Sequence, residues 1–470
     1  MSSKQSADMM VRGRIVTMDA GRRVIDDGAV AIVGGDIAAI GGAAEIAEAW
    51  DAARTLGGTG TIVMPGLIDA HTHCSQCFVR TLTSGELPMI PRIYNPAQRS
   101  LSPEQAAQTV RLIAAQLLRS GVTTLCEGTL NRGHEAAIVE AIEDAGIRCI
   151  MARGMADQDF HHAALYSQVT DRSWVKARDG EAERDLAHTE DFLARHPGKG
   201  RGLVRGAVNA SSLLGFSERY FREGARIAEK HGVSLQVHIG RDREEVELCL
   251  GVWGRRPIER LHDMGVISRR LVAVHAVLAS EAEIELLARG GAGLAHSPTE
   301  CVANLNAVPN MPRFRAAGVR VALGCDNQGN DMFDTMRAAW LIHGAKWGVE
   351  RYDPEFLPAG ELLAMATIES AGVLGADDLI GSLETGKAAD LVLLDGSAPH
   401  LLAQHSLASD IVRFASRGEV RATIVAGRVL YQDGEFTTID IDRLRADAAA
   451  GAAHVRAIAE PRRYKPFPAF

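Results

Sequence analysis

The 470-residue chain has no run of 18 apolar residues, which excludes a transmembrane helix. Its first ten residues, M-S-S-K-Q-S-A-D-M-M, lack the long apolar core of a secretory leader, so a cytoplasmic location is expected. It has no basic block or stripe, and a net charge of -8 argues for solubility and against a nucleic-acid surface. Cysteine is sparse: seven residues (Cys74, Cys77, Cys126, Cys149, Cys249, Cys301, Cys325), odd in number and scattered, fit reduced thiols better than a disulfide framework. Cys74 and Cys77 form a C-x-x-C that trails a histidine pair instead of opening a helix in a small domain, so they are expected to be pocket-wall thiols. Internal repeats and low-complexity tracts are also missing.

What is present is ordinary globular composition, 46% hydrophobic and 23% charged, with 47 glycines that suit many strand-to-helix turns. The length allows one large catalytic domain and a smaller one. The central stretch is Ile62 to Cys77, I-V-M-P-G-L-I-D-A-H-T-H-C-S-Q-C. A buried apolar strand here delivers His71 and His73 to its C-terminal tip, and residues two apart on a strand point to the same side. Two imidazoles facing one way can bind one cation.

Short β-branched runs at Met9 to Met18, Gly28 to Val33, Ile37 to Ile40 and Thr61 to Met64 predict a small antiparallel sheet. A matching set returns at Ala389 to Leu394, Val420 to Val425 and Arg428 to Tyr431, so both chain ends are expected to build one β-sandwich domain. Between them strand and helix patterns alternate about eight times over about 320 residues, the pattern of a (β/α)8 TIM-like barrel in an α/β protein. Gly121, Gly146, Gly232 and Gly318 look like helix C-terminal caps. The expected divisions are 1–64 and 385–436 for the two parts of the β-sandwich, 65–384 for the barrel and 437–470 for a helical tail. The charged stretch Phe160 to Lys199 is expected to be an insertion that covers the site or meets another subunit.

Later strands also end in polar residues: His238 on the fifth, His275 on the sixth, His296 on the seventh and Asp326 after the eighth. Barrel enzymes place their chemistry at these tips. One histidine at a strand end is commonly a structural residue. Five histidines and an aspartate at the tips of one barrel are hard to explain that way.

The chain resembles the mononuclear-metal branch of the amidohydrolase superfamily, with the cytosine, guanine and adenosylhomocysteine deaminases and the triazine hydrolases. The residues that carry the resemblance are Arg12 to Asp19, Pro65-Gly-Leu-Ile-Asp-Ala-His-Thr-His73, Gly121-Val-Thr-Thr124 and Gly386-Lys-Ala-Ala-Asp-Leu-Val-Leu-Leu394. The resemblance implies that His71, His73, His238 and Asp326 bind one divalent metal ion and that His275 hydrogen-bonds the attacking water. Such a cation lowers the pKa of a bound water toward roughly 7 and makes hydroxide available. Asp326 is then the proton carrier to the leaving nitrogen, and His296 is implied to face the substrate. Two-metal relatives use a carboxylated lysine on the fourth strand, and Gly202 to Ser211 contains none.

Two departures stand out. Deaminase relatives carry a proton-shuttling glutamate three residues after the fifth-strand histidine, where this chain has Arg241, which cannot act as an acid or base. The second departure follows the seventh strand, where relatives tend to have serine-asparagine and this chain has Glu300-Cys301. Asp242 or Glu300 can replace the missing acid, and Glu300 is expected to pair with Arg241 across the barrel mouth. Gln76, Phe78, Arg80, Leu87, Met89 and Tyr94 in the loop after the first strand, with Trp174, suit a small, partly apolar substrate.

The expected activity is hydrolysis of a non-peptide carbon–nitrogen bond in a small molecule, of amide, urea or carbamate type. The alternatives are deamination of a purine, pterin or triazine heterocycle, and a non-catalytic scaffold. Zinc is the expected metal, with iron, cobalt and manganese as alternatives. No nucleic acid or membrane partner is expected, and relatives imply a homo-oligomer.

Overall fold

The computed structural model describes residues 4–83, 93–129, 131–160, 175–305, 307–327 and 329–459. Its centre is a sheet of eight parallel strands: β1 (Leu67–Thr72), β2 (Val122–Thr129), β3 (Arg148–Arg153), β4 (Val204–Asn209), β5 (Leu235–Ile239), β6 (Leu271–His275), β7 (Gly293–His296) and β8 (Arg320–Leu323). They neighbour one another in sequence order. The ring closes just past β8, where Thr72 bridges Asp326 in parallel and the Asp326 amide donates to the His71 carbonyl at 2.8 Å. Glycine at 324 permits that closure, since a Cβ there would lie 2.9 Å from the His71 amide nitrogen.

Helices cover the barrel outside. Those that matter below are α1 (Pro103–Arg119), α2 (Glu135–Ala145), α3 (Glu181–Arg195), α4 (Glu218–His231), α5 (Arg243–Trp253), α6 (Glu281–Gly290), α7 (Met311–Ala316), α8 (Met332–His343) and α9 (Ile441–Ala459). Local sequence sets their ends. Ser102 accepts from the Gln105 amide at 3.1 Å while the Gln105 side chain accepts from the Ser102 amide at 2.9 Å, a reciprocal cap that starts α1. The four expected glycine caps, Gly121, Gly146, Gly232 and Gly318, all have left-handed φ.

The two chain ends form one continuous eight-stranded sheet. Its joint is Leu391–Asp395, antiparallel to Thr55–Pro65, which itself runs parallel to Met9–Val16. The expected half-sheets are therefore joined edge to edge by hydrogen bonds. Thr55–Pro65 passes through Gly66 directly into β1, and a Cβ on Gly66 would lie 2.1 Å from the Thr123 hydroxyl. Arg148 of β3 makes a two-pronged bond to Asp390 (2.9 and 3.0 Å), with both side chains buried. The outer sheet thus anchors the first and third barrel strands.

Of the expected insertion at 160–199, residues 161–174 lie outside the described residues, and the expectation is corrected for the rest. Its charged helical part is α3, the barrel helix between β3 and β4, with Phe192 and Leu193 buried and its outer face charged. Helical periodicity with many acids reads as a surface excursion until the barrel shows what its apolar stripe covers. Gln158–Phe160 and Val175–Ala177 form a short antiparallel ladder before it. The tail is helical as expected: α9 packs on α1, and its Gly451 lies against the Phe78 ring. Pro461 to Phe470 lies outside the described residues.

Candidate metal centre

All six residues of β1 are buried, and its extended course sends His71 and, one residue past its end, His73 to one side with ring centroids 4.7 Å apart. His238 joins them from β5, its Nε2 lying 3.1 Å from His71 Nε2 and 3.2 Å from His73 Nε2. Asp326 Oδ2 is 3.6 Å from Nε2 of both His71 and His275. Two overlapping groups, His71, His238 and His275, and His71, His73 and Asp326, each bring their donor atoms within 4.8 Å of one another.

The chemistry of this set fits a divalent cation. A carbonyl can only accept, so His238 Nδ1, 3.1 Å from the Ser211 carbonyl, carries the ring proton and leaves Nε2 bare toward the cluster. Burial holds His71 well below its ordinary pKa, reinforced by its three histidine neighbours, and burial likewise keeps His73 and His238 neutral. Neutral imidazole is the ligand form. Burial, with the charge of Asp69, pushes the Asp326 carboxyl up to about 7, the mark of a buried carboxylate without a compensating positive charge. A cation among these four side chains would supply that charge.

The backbone is bent to make the arrangement. His275, Ala276 and Asp326 have φ of +71°, +45° and +53°, a region that non-glycine residues seldom occupy. Such strain persists where the surroundings over-determine it. Here the Ala276 amide donates to the Ile239 carbonyl at 2.9 Å, and the Asp326 amide is held by β1. Asp69 is the hidden brace: one of its oxygens accepts from the His71 amide (3.2 Å) and from the Cys325 amide (2.9 Å), tying the ends of β1 and β8 together.

Around this centre the other expected residues fall into distinct groups. His296 is buried, with Nε2 2.9 Å from His343 Nε2 and Nδ1 3.9 Å from Cys301 Sγ. Arg241 turns its guanidinium onto neighbouring Asp242, while its amide donates to Glu245 at 2.9 Å. Asp242 also caps α5 by accepting from the Glu245 amide at 2.9 Å, so both of its oxygens are engaged. Glu300 is buried and accepts from the Asn304 side-chain Nδ2 at 2.7 Å, acting on Arg241 through its charge. Gln76 accepts from Asn327 at 2.7 Å, and Asn327 also donates to the Tyr94 hydroxyl at 3.0 Å.

Two expected pocket residues go elsewhere. Arg80 donates to Gln116 of α1, and Phe78 packs under α9, because a long loop after β1 must bury its own apolar groups. Leu87, Met89 and Trp174 lie outside the described residues. The seven cysteines are all free and buried.

Several residues of the site carry no motif. His343 arrives from the far end of α8, Glu245 from inside a helical turn, and Glu127 of β2 accepts from the Cys74 amide at 2.7 Å beside His73. Asn327 had one available signal, its place directly after Asp326. At the tip of β3 the fully buried Arg153 binds Glu135 (2.8 Å), Asp185 (2.7 Å) and Thr189, clamping α2 and α3 to the barrel. Its part is structural.

A closed parallel barrel with a strand-tip cluster of three imidazoles and a carboxylate defines the class of metal-dependent barrel hydrolases. The match of residues 62–430 to the amidohydrolase family places the chain in that family, and it is a hydrolase of carbon–nitrogen bonds. It is 32% identical over 451 residues to a 5-methylthioadenosine/S-adenosylhomocysteine deaminase of Syntrophobacter fumaroxidans, covering 94% of this chain and 97% of the relative. A 5'-deoxyadenosine deaminase of Methanopyrus kandleri is 28% identical over 403 residues, 84% of this chain and 87% of the relative. Among solved structures, a zinc-bound adenosine deaminase from Xanthomonas campestris superposes with a TM-score of 0.85 at 25% identity, over 97% of this chain and 100% of that one. An atrazine chlorohydrolase of Arthrobacter aurescens complexed with zinc gives 0.80 at 24%, over 94% and 100%, which speaks for the fold. Among the described residues no helix is long and apolar enough to cross a membrane.

Proposed function

We propose that the chain hydrolyses a carbon–nitrogen bond in a small neutral amide, urea or carbamate-like molecule. The observation that carries this reading is Arg241. It stands three residues beyond His238, and its guanidinium is already paired with Asp242, so no proton-donating acid occupies that position. An aromatic ring nitrogen needs such an acid, whereas an acyclic amide nitrogen needs one only as it departs.

In this reading His71, His73, His238 and Asp326 hold one divalent ion, with zinc favoured by the zinc-bound neighbours and iron, cobalt and manganese able to use the same donors. When bound, that ion supplies Lewis acidity and makes water a stronger acid. Asp326, the carboxylate of the set, takes a proton from the attacking water and gives it to the leaving nitrogen. His275, neutral through burial and 3.6 Å from Asp326, donates to the developing oxyanion. Arg241 and Glu300 offer a donor and an acceptor to the carbonyl and N–H groups that such substrates present, and Gln76 belongs to the pocket wall with Asn327 and Tyr94. The chain acts as a homo-oligomer, which light scattering on the purified protein tests.

The second reading is deamination of an amino-heterocycle. The adenosine-type relatives favour it, and so does Glu300, a buried carboxylate at the exit of β7. Metal analysis and one screen of anilides, phenylureas, carbamates and amino-heterocycles separate the two. About one metal per chain with amine release from acyclic compounds is expected. Ammonia release confined to heterocycles, abolished by Glu300→Gln, establishes the second reading instead. Asp326→Asn is expected to lower kcat/KM by roughly 10²–10⁴-fold, and near-normal turnover at full metal content would sink the assignment of Asp326.

A further inference from the structure

Beside the four donor residues, three side chains form a buried chain of their own. His343, the last residue of α8, places Nε2 2.9 Å from Nε2 of His296, and Nδ1 of His296 faces Cys301 Sγ at 3.9 Å. The chain flanks the reaction centre: His296 ends β7, which is paired between β6 ending in His275 and β8 leading to Asp326, and the Gly324 amide donates to the His296 carbonyl at 2.9 Å.

Two imidazole nitrogens 2.9 Å apart must share one proton: two bare lone pairs repel, and two N–H groups clash. The other nitrogen of His343 decides which ring donates. Nδ1 of His343 is buried and has no hydrogen-bond partner among the described residues. A proton there would leave a buried N–H orphaned, which is among the rarest defects in native structures, whereas a bare lone pair is better tolerated. The proton therefore belongs on His343 Nε2, which donates to His296. His296 must then carry its own proton on Nδ1. A thiol sulfur at 3.9 Å is a long, weak acceptor, so this N–H stays open to a better one.

We propose that His343 is a positioning residue that locks His296 in the Nδ1–H tautomer, so that His296 offers a neutral hydrogen-bond donor to the carbonyl oxygen of the substrate. Burial keeps both rings neutral: His296 lies well below its ordinary pKa, with His343 adding to the effect, and His343 is brought down to about 4. A neutral imidazole donor stabilises growing negative charge on oxygen without giving up its proton. The substrate half of the proposal rests on the proposed function; the tautomer half does not.

The test is nitrogen NMR on zinc-loaded protein labelled with 15N-histidine, with His296→Asn used to assign the resonance, and with steady-state kinetics on the best carbon–nitrogen substrate from the screen. His343→Gln keeps a donor toward His296 Nε2; His343→Leu removes it. Wild type and His343→Gln are expected to show His296 as Nδ1–H, with similar kcat. His343→Leu is expected to lose that tautomer and to drop kcat on the order of tenfold, with KM, metal content and Tm little changed. An Nε2–H signal for His296 in wild type overturns the proposal, as does retention of Nδ1–H in His343→Leu or equal loss of kcat in both variants. If His343→Leu does not fold, the tautomer in wild type and His343→Gln still decides. The NMR arm needs no substrate, so a wrong substrate class shows separately, as a correct tautomer with no turnover of acyclic compounds.

Discussion

Single residues here are governed by what burial does to charge. Glu245 accepts from the Arg241 amide, and burial, helped by the Asp242 charge, pushes its carboxyl up from 4.5 to about 8. Between those two values the folded chain keeps a proton that the unfolded chain releases, so the folded state binds more protons and stability falls as pH rises through the window. Denaturant midpoints at about pH 5 and about pH 8 should therefore differ less in Glu245→Gln than in wild type. An unchanged difference would mean that Glu245 ionises without cost. The strained φ at His275 and Asp326 belongs to the same scale: both side chains are aimed by backbone that neither residue adopts readily.

Elements are held in register by a few buried polar joints. Arg148 and Asp390 link β3 to the outer sheet, and Asp390 also accepts from the Ala426 amide at 2.8 Å. Removing one partner of a buried pair leaves the other charge uncompensated, so Asp390→Asn is expected to cost roughly 3–5 kcal/mol of stability. Denaturation would show this, with turnover per folded molecule preserved; a loss below about 1 kcal/mol would make the joint dispensable. Sequence periodicity found the strands and most helices because each carries its own pattern. It misplaced α3, whose acid-rich outer face hides a stripe that only the neighbouring α4 and β4 explain.

At the scale of the whole molecule, the four proposed donors, from β1 and the residue after it, β5 and the segment after β8, meet only when the ring closes, so metal binding there would be linked to barrel closure. A chelator is expected to lower Tm and abolish turnover, and zinc to restore both, since a ligand that binds only the folded state stabilises it by roughly 2.7 kcal/mol at a hundredfold excess over Kd. A Tm unmoved by chelation would show that the barrel closes without the ion. The barrel, the sheet from both chain ends, and the histidines and aspartate at the strand tips were all legible in the sequence, because alternation and strand-end position are local properties of a chain. The partners of those residues were not. Asp242 beside Arg241, His343 beside His296, Asn327 between Gln76 and Tyr94, and Asp69 bridging β1 to β8 are set by which loops and helices converge once eight strands form a circle. Sequence spacing determines which side chains point inward. Only tertiary closure decides which of them touch, and that contact sets their protonation.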